Sequence, residues 1–222
     1  MKLQLKKIFF SSCSIYLYIS AFSLRMLIGR VIKIPNFLFI PIELILLLTF
    51  LYLERQQLSN FFIRKKNIFT EVSFGIVAAV LWCVIEYILY FLGGEPLQIP
   101  KLNSLLLFPA LLIVAGWKSA LYEELLFRSI TMGVLIKITK KVHFAIFIQA
   151  IFFYLAHGRY FHLGLWYQSI IVGLMGLVMG YITYKRRSVI PAIIIHSFTN
   201  TFGAIFMPAG LAWGKAILSW LR

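Results

Sequence analysis

The 222-residue sequence contains no aspartate, and its seven acidic residues are all glutamates. Any carboxylate chemistry therefore runs through glutamate. Cysteine is scarce as well. Cys13 and Cys83 lie in apolar segments without metal-ligand spacing, which reads as two small buried hydrophobes and says nothing of redox compartment. No HExxH sequence is present, so that helical metal signature is missing. Internal repeats, low-complexity tracts and linkers long enough to separate domains are also lacking. One helical membrane domain, residues 1–222, is the economical reading.

What the chain has in abundance is apolar surface. Hydrophobic residues make up 61% of it, against about half in a soluble globular domain, and mean hydropathy is +0.90. These values describe an integral membrane protein. The 22 Lys and Arg give a net charge of +15, but they sit in short clusters between apolar runs, such as Lys6–Lys7, Arg64–Lys66, Lys140–Lys141 and Lys185–Arg187. Such clusters are topology signals and contacts for anionic lipid headgroups, and they argue against a nucleic-acid partner.

A membrane span needs about 20 mainly apolar residues. By that measure helices fall near 8–28, 36–53, 69–92, 105–136, 142–157, 166–184 and 189–209, and the tail LAWGKAILSW offers an eighth. The fold class is all-α, a polytopic protein of about seven transmembrane helices. Pro35, Gly93–Gly94 with Pro96 and Pro100, Gly158, and Ser188 to Pro191 mark the breaks. The N-terminal segment begins like a signal peptide but reads as an uncleaved first span, because more spans follow. Between the second and third spans, ERQQLSNFFIRKKN suits a helix lying in the interface. Alternate loops carry the basic clusters and place the N-terminus in the cytoplasm, although Arg25, Arg30 and Lys33 fall on the opposite side.

Against this background KSALYEELLFRSI, residues 118–130, is anomalous. Four charged groups facing lipid would cost on the order of 10 kcal/mol, so they must face protein, water or each other. Glu124 and Arg128 are four apart on one helix face and can pair, whereas Glu123 is turned about 100° away. Lys118, a turn earlier, can snorkel to the interface. Two further spans carry isolated polar groups: His157 ends FFYLAH, and His196 and Asn200 share a face in HSFTN. Singly, each histidine reads as a hydrogen-bonded core residue. Together with the glutamates they supply what hydrolysis needs: a carboxylate and an imidazole to activate water, and an imidazole and a carboxamide to donate to an oxyanion. Glu43 and Glu86, each alone in an apolar span, are expected to find a hydrogen bond or to sit protonated. His143, and His162 with Arg159, read as interfacial. Gly173, Gly176 and Gly180 predict close helix packing.

EELLFR, FYLAH and HSFTN, in this order and on separate spans, resemble the three motifs of the CAAX-protease and bacteriocin-processing (CPBP, or Abi) intramembrane proteases, relatives of the type II CAAX prenyl endopeptidases. The resemblance covers about 105–205, the expected catalytic core. It implies a glutamate-dependent peptide hydrolase in which Glu123 and His157 activate water, His196 and Asn200 stabilise the oxyanion, and Glu124 and Arg128 order the site or hold substrate. It implies no required cofactor. A metal-dependent variant of the chemistry would use Glu123, His157 and His196 as zinc ligands. Ser129 departs from the glycine that many relatives carry after the motif arginine. The short chain suits a bacterial cell-membrane member, with a peptide or membrane-protein substrate and a role in bacteriocin maturation or self-immunity. The competing reading is a non-catalytic membrane immunity or scaffold protein that keeps a polar core for packing. A proton-conducting transporter is a lesser one, since the polar residues cluster rather than cross the membrane.

Overall fold

A computed structural model describes residues 45, 48–52, 55, 58–64, 67–94, 106, 108–115, 120–157 and 166–206. The first expected span, most of the second, the apolar tail, and Cys13, Glu43, Lys118, Gly158, Arg159 and His162 lie outside the described residues. Two compact units divide the chain, Met1–Asn60 and Phe61–Arg222, and the helices below belong to the second. They are α1 (Ile68–Leu92), α2 (Phe108–Ala115), α3 (Leu121–Glu124), a π-helical stretch (Leu125–Thr131), α4 (Met132–Thr139), α5 (Val142–Ala156), α6 (Trp166–Arg186) and α7 (Ile190–Phe206). Among the described residues there is no strand.

Two helices, α1 and α6, are long and apolar enough to cross a membrane, while α5 and α7 are shorter apolar helices. The core helix of a soluble protein passes the same test of length and composition. In α1, however, only 22% of the most apolar window is buried, and Phe69, Val77, Leu81, Phe91 and Leu92 are all more than half exposed. An apolar surface of that extent is stable only against lipid or another protein.

Local chemistry sets the helix ends. Gly93 closes α1 with its N–H on the Leu89 carbonyl, and Gly94 at φ 78° takes the left-handed turn that excludes most side chains. Lys140, at φ 58°, closes α4 and leaves two residues before α5. Ser188 Oγ accepts the Ile190 N–H at the start of α7, and Pro191 sits in that first turn, where no N–H is needed.

Small residues set the helix spacing. A Cβ on Gly176 would stand 3.0 Å from Ala150 Cβ, one on Gly180 would stand 3.2 Å from Ile146 Cγ2, and one on Gly173 would stand 3.8 Å from the Tyr154 ring. The glycine face of α6 thus packs antiparallel on α5, as the spacing predicts. Gln149 fills the notch, its Nε2 donating to the Ile146 and Gly176 carbonyls at 3.0 and 2.7 Å. The N-terminal turn of α1 is tied to the C-terminal turn of α6 by Arg186, which donates twice to Glu71, at 2.8 and 3.2 Å.

Three expectations change. Among the described residues of the segment before α1, Leu58–Phe61 form a 3₁₀ turn, and Phe61 and Phe62 are buried rather than interfacial. Phe62 packs with Met132, Ala145 and Ile146, so its apolar surface is covered by protein. Cys83 is a free thiol only partly buried in α1, not a core hydrophobe. The span read as one helix over 105–136 contains a π-helical stretch. Glu86 does find a hydrogen bond: it is buried in α1 and accepts from Trp82 Nε1 at 2.8 Å.

Candidate active site

The polar residues of three helices converge. From α3 come Glu123 and Glu124, with Arg128 one turn on in the π-helical stretch. His157 caps α5, and His196 and Asn200 lie on α7. The Met132 N–H bonds the Phe127 carbonyl five residues back, a widened turn of the kind that recurs at functional sites.

The two glutamates separate in their surroundings. Glu124 is fully buried, and its Oε1 lies 3.1 Å from Arg128 Nη1 and 2.7 Å from His196 Nδ1. One carboxylate thus answers a buried guanidinium and fixes an imidazole 72 residues away in sequence. Glu123 is turned elsewhere: its Oε2 lies 3.4 Å from His157 Nε2 and 4.0 Å from His196 Nε2. The side chains of Glu123 and His157 are 25% and 23% exposed, against 0% and 4% for Glu124 and His196. The wetter pair is the one suited to activating water, and the drier pair is suited to holding geometry.

Hydrogen-bond partners fix both rings. The Phe153 carbonyl can only accept, so His157 Nδ1 donates to it at 2.9 Å and Nε2 is left toward Glu123. His196 Nδ1 donates to the Glu124 carboxylate, which leaves Nε2 toward Glu123 in turn. Phe153 is the hub of the arrangement. Beyond its carbonyl, its ring carries the Arg128 guanidinium at 3.9 Å and meets the rings of Phe127, His157 and His196 at 5.3, 4.4 and 6.0 Å. A ring face under a desolvated cation is worth about 2 kcal/mol. Arg128 Nη2 also reaches the Met175 carbonyl at 3.4 Å, which anchors the site to α6.

The sequence marked Phe153 only by its place four residues before His157, with no role attached. The Glu124–His196 contact carried no sequence signal, and neither did Glu71 with Arg186. Asn200 is partly buried one turn beyond His196 on α7. Ser129 is fully buried in the π-helical stretch, and its Oγ makes no hydrogen bond.

Glu123 Oε2 stands near both His157 Nε2 and His196 Nε2, the three residues that a zinc-dependent variant would use. Among the described residues no three His, Cys, Asp or Glu side chains form a group that could hold a metal ion. The 4.0 Å between Glu123 Oε2 and His196 Nε2 exceeds the roughly 3.3 Å that separates two ligands of tetrahedral zinc at bond lengths near 2.0 Å.

Residues 102–202 match the protein family described as type II CAAX prenyl endopeptidase Rce1-like. Over that range the chain is similar to that family. The match bears out the family resemblance of the three motifs, and it spans all six residues from Glu123 to Asn200. Rce1-like proteins are membrane-embedded proteases, which supports a peptidase at the level of the family. No curated protein and no solved structure matches the chain.

Proposed function

We propose that this protein is a glutamate-dependent intramembrane endopeptidase that needs no metal. The supporting observation is that Glu123 Oε2 lies within 3.4 Å of His157 Nε2 and 4.0 Å of His196 Nε2, a buried oxygen on a side chain that is 25% exposed. Glu123 takes a proton from a water held between it and His157 as that water attacks the scissile carbonyl carbon. The His157 and Glu123 pair then returns the proton to the leaving amine, which completes hydrolysis. His196 Nε2 and the Asn200 carboxamide donate to the oxyanion. Donation from Nε2 as well as Nδ1 needs both protons on the His196 ring, and Glu124 behind it balances the positive charge of that form. Arg128 holds Glu124, and Phe153 holds Arg128 and His157. The substrate is a peptide or membrane-associated protein, and the physiological setting is bacteriocin maturation or self-immunity in a bacterial cell membrane.

The test compares Glu123→Gln and His157→Ala with wild type at matched levels in membranes. Each variant is expected to lose about 10²–10⁴-fold in processing, the usual contribution of a general base. Full processing of a verified substrate by both variants would overturn the proposal and favour a non-catalytic immunity or scaffold role.

A further inference from the structure

A peptide held extended at membrane depth has no water to bond its backbone, so every N–H and C=O it exposes must find a partner on the protein. A sheet edge could supply partners by taking the peptide as a further strand, but among the described residues there is no strand. Side chains on the helices must do so instead. α6 carries two suitable groups at the level of Glu123 and His157. Tyr154 stands against Gly173, Ala150 against Gly176 and Ile146 against Gly180, so α5 and α6 run antiparallel in a fixed register. One turn beyond the Tyr154–Gly173 contact, His157 and Ser169 are level. Ser169, four residues before Gly173, continues the glycine face and lies on the side of α6 turned to α5. Tyr167 lies on another side, its ring against Gly93 and Tyr90 at the end of α1. Gln168 falls between the two. It stands two turns before Met175 on the same face, and the Met175 carbonyl is the one that Arg128 Nη2 reaches.

Gln168 and Ser169 are 7% and 9% exposed, and neither Gln168 Oε1 nor Ser169 Oγ has a hydrogen-bond partner among the described residues. The Gln168 amide is held at its other end, where Nε2 donates to Tyr90 Oη at 3.5 Å. A buried polar atom without a partner works against folding, and an apolar residue at either position would remove that penalty. Packing alone therefore gives no reason for these two groups to stand side by side at the level of the site. Thr183 Oγ1 is likewise buried without a partner, but it lies about 21 Å further along α6 at 1.5 Å per residue, which makes it a control.

We infer that Gln168 and Ser169 form a subsite for the main chain of an extended peptide: Gln168 Oε1 accepts a backbone N–H of the substrate, Ser169 Oγ donates to a backbone C=O, and the chain is thereby fixed beside the Glu123–His157 pair. The choice of a peptide as ligand rests on the proteolytic reading above. Contacts to backbone groups are indifferent to side chains, so this subsite selects an extended conformation and not a sequence.

That indifference sets the probe: a fluorescent pool of random-sequence decapeptides with blocked termini, and the same pool N-methylated along its backbone. Both are titrated into full-length Glu123→Gln protein in detergent, where hydrolysis does not intrude, and binding is read by fluorescence polarisation. The plain pool should bind more tightly than the N-methylated one. Adding Gln168→Met should weaken the plain pool about two- to tenfold, the worth of one hydrogen bond, and leave the N-methylated pool unchanged. Ser169→Ala should weaken both pools by a similar factor without lowering Tm, and it carries the test alone if Gln168→Met fails to accumulate. Thr183→Val should leave both affinities as they are. No binding of either pool, equal affinity for the two, or undiminished binding after Gln168→Met and Ser169→Ala would overturn the subsite, as would an equal loss in Thr183→Val. Hydrolysis of the plain pool is followed separately with Glu123 intact. Binding as expected without hydrolysis that depends on Glu123 would refute the proteolytic reading and leave the peptide subsite standing.

Discussion

Replacing Glu124 by glutamine keeps the shape of the side chain and removes its charge. Arg128 Nη1 lies 3.1 Å from Glu124 Oε1 with both side chains 0% exposed, so Glu124→Gln leaves a guanidinium buried without its counter-charge. Breaking such a pair from one side costs about 3–5 kcal/mol. For a chain of this size that lowers Tm by on the order of 10 °C. The Phe153 face under Arg128 keeps some of the attraction, about 2 kcal/mol, which argues for the lower half of that range. Arg128→Met should cost a comparable amount, because it strips the anion of one of its two partners. The double variant Glu124→Gln/Arg128→Met removes both charges and should recover most of the loss, since a buried pair is worth little relative to an apolar replacement. The assay is thermal unfolding of all four proteins in one detergent, read as a double-mutant cycle. Single variants that melt with wild type, or losses that simply add, would refute the ion-pair reasoning.

Other outcomes follow from the same contacts. Gly176→Val places side-chain atoms against the backbone of Ala150; it should cost about 1–3 kcal/mol by overpacking, and unfolding measurements should show it less stable than Gly176→Ala. Ser129→Ala deletes a buried hydroxyl that makes no hydrogen bond, so it should be neutral or stabilising by about 1 kcal/mol; a clear fall in Tm would show that the hydroxyl is bonded. Glu71→Gln breaks the doubly hydrogen-bonded link to Arg186, which is 31% exposed, and should cost about 1 kcal/mol after solvent screening, seen as a small Tm shift with processing retained. Treatment with a zinc chelator should leave processing unchanged, and recovery of activity only on adding metal back would refute the metal-independent chemistry.

Much of the helical pattern was legible because long apolar runs leave few alternatives. The expected 69–92, 166–184 and 189–209 compare with Ile68–Leu92, Trp166–Arg186 and Ile190–Phe206. The Glu124–Arg128 pair was legible too, since it depends only on helical spacing. Hydropathy could not distinguish α from π geometry over Leu125–Thr131, because the same apolar residues suit both. Nor could it tell lipid from protein as the cover for Phe62, whose neighbours Met132 and Ile146 are far along the chain. The contacts that organise the site, Glu123 with His157 and Glu124 with His196, join separate helices, and no local periodicity encodes them. Phe153 stood in plain view at the motif spacing, but its ring and carbonyl acquire their roles only once Arg128 and His157 are brought to it.

The most direct test of the central claim compares peptide termini by mass spectrometry in membranes that contain wild-type or Glu123→Gln protein at equal levels. Glu123 Oε2 is the carboxylate oxygen placed between two imidazoles, so termini present with wild type should vanish with Glu123→Gln. Identical termini in both samples would contradict catalysis by Glu123.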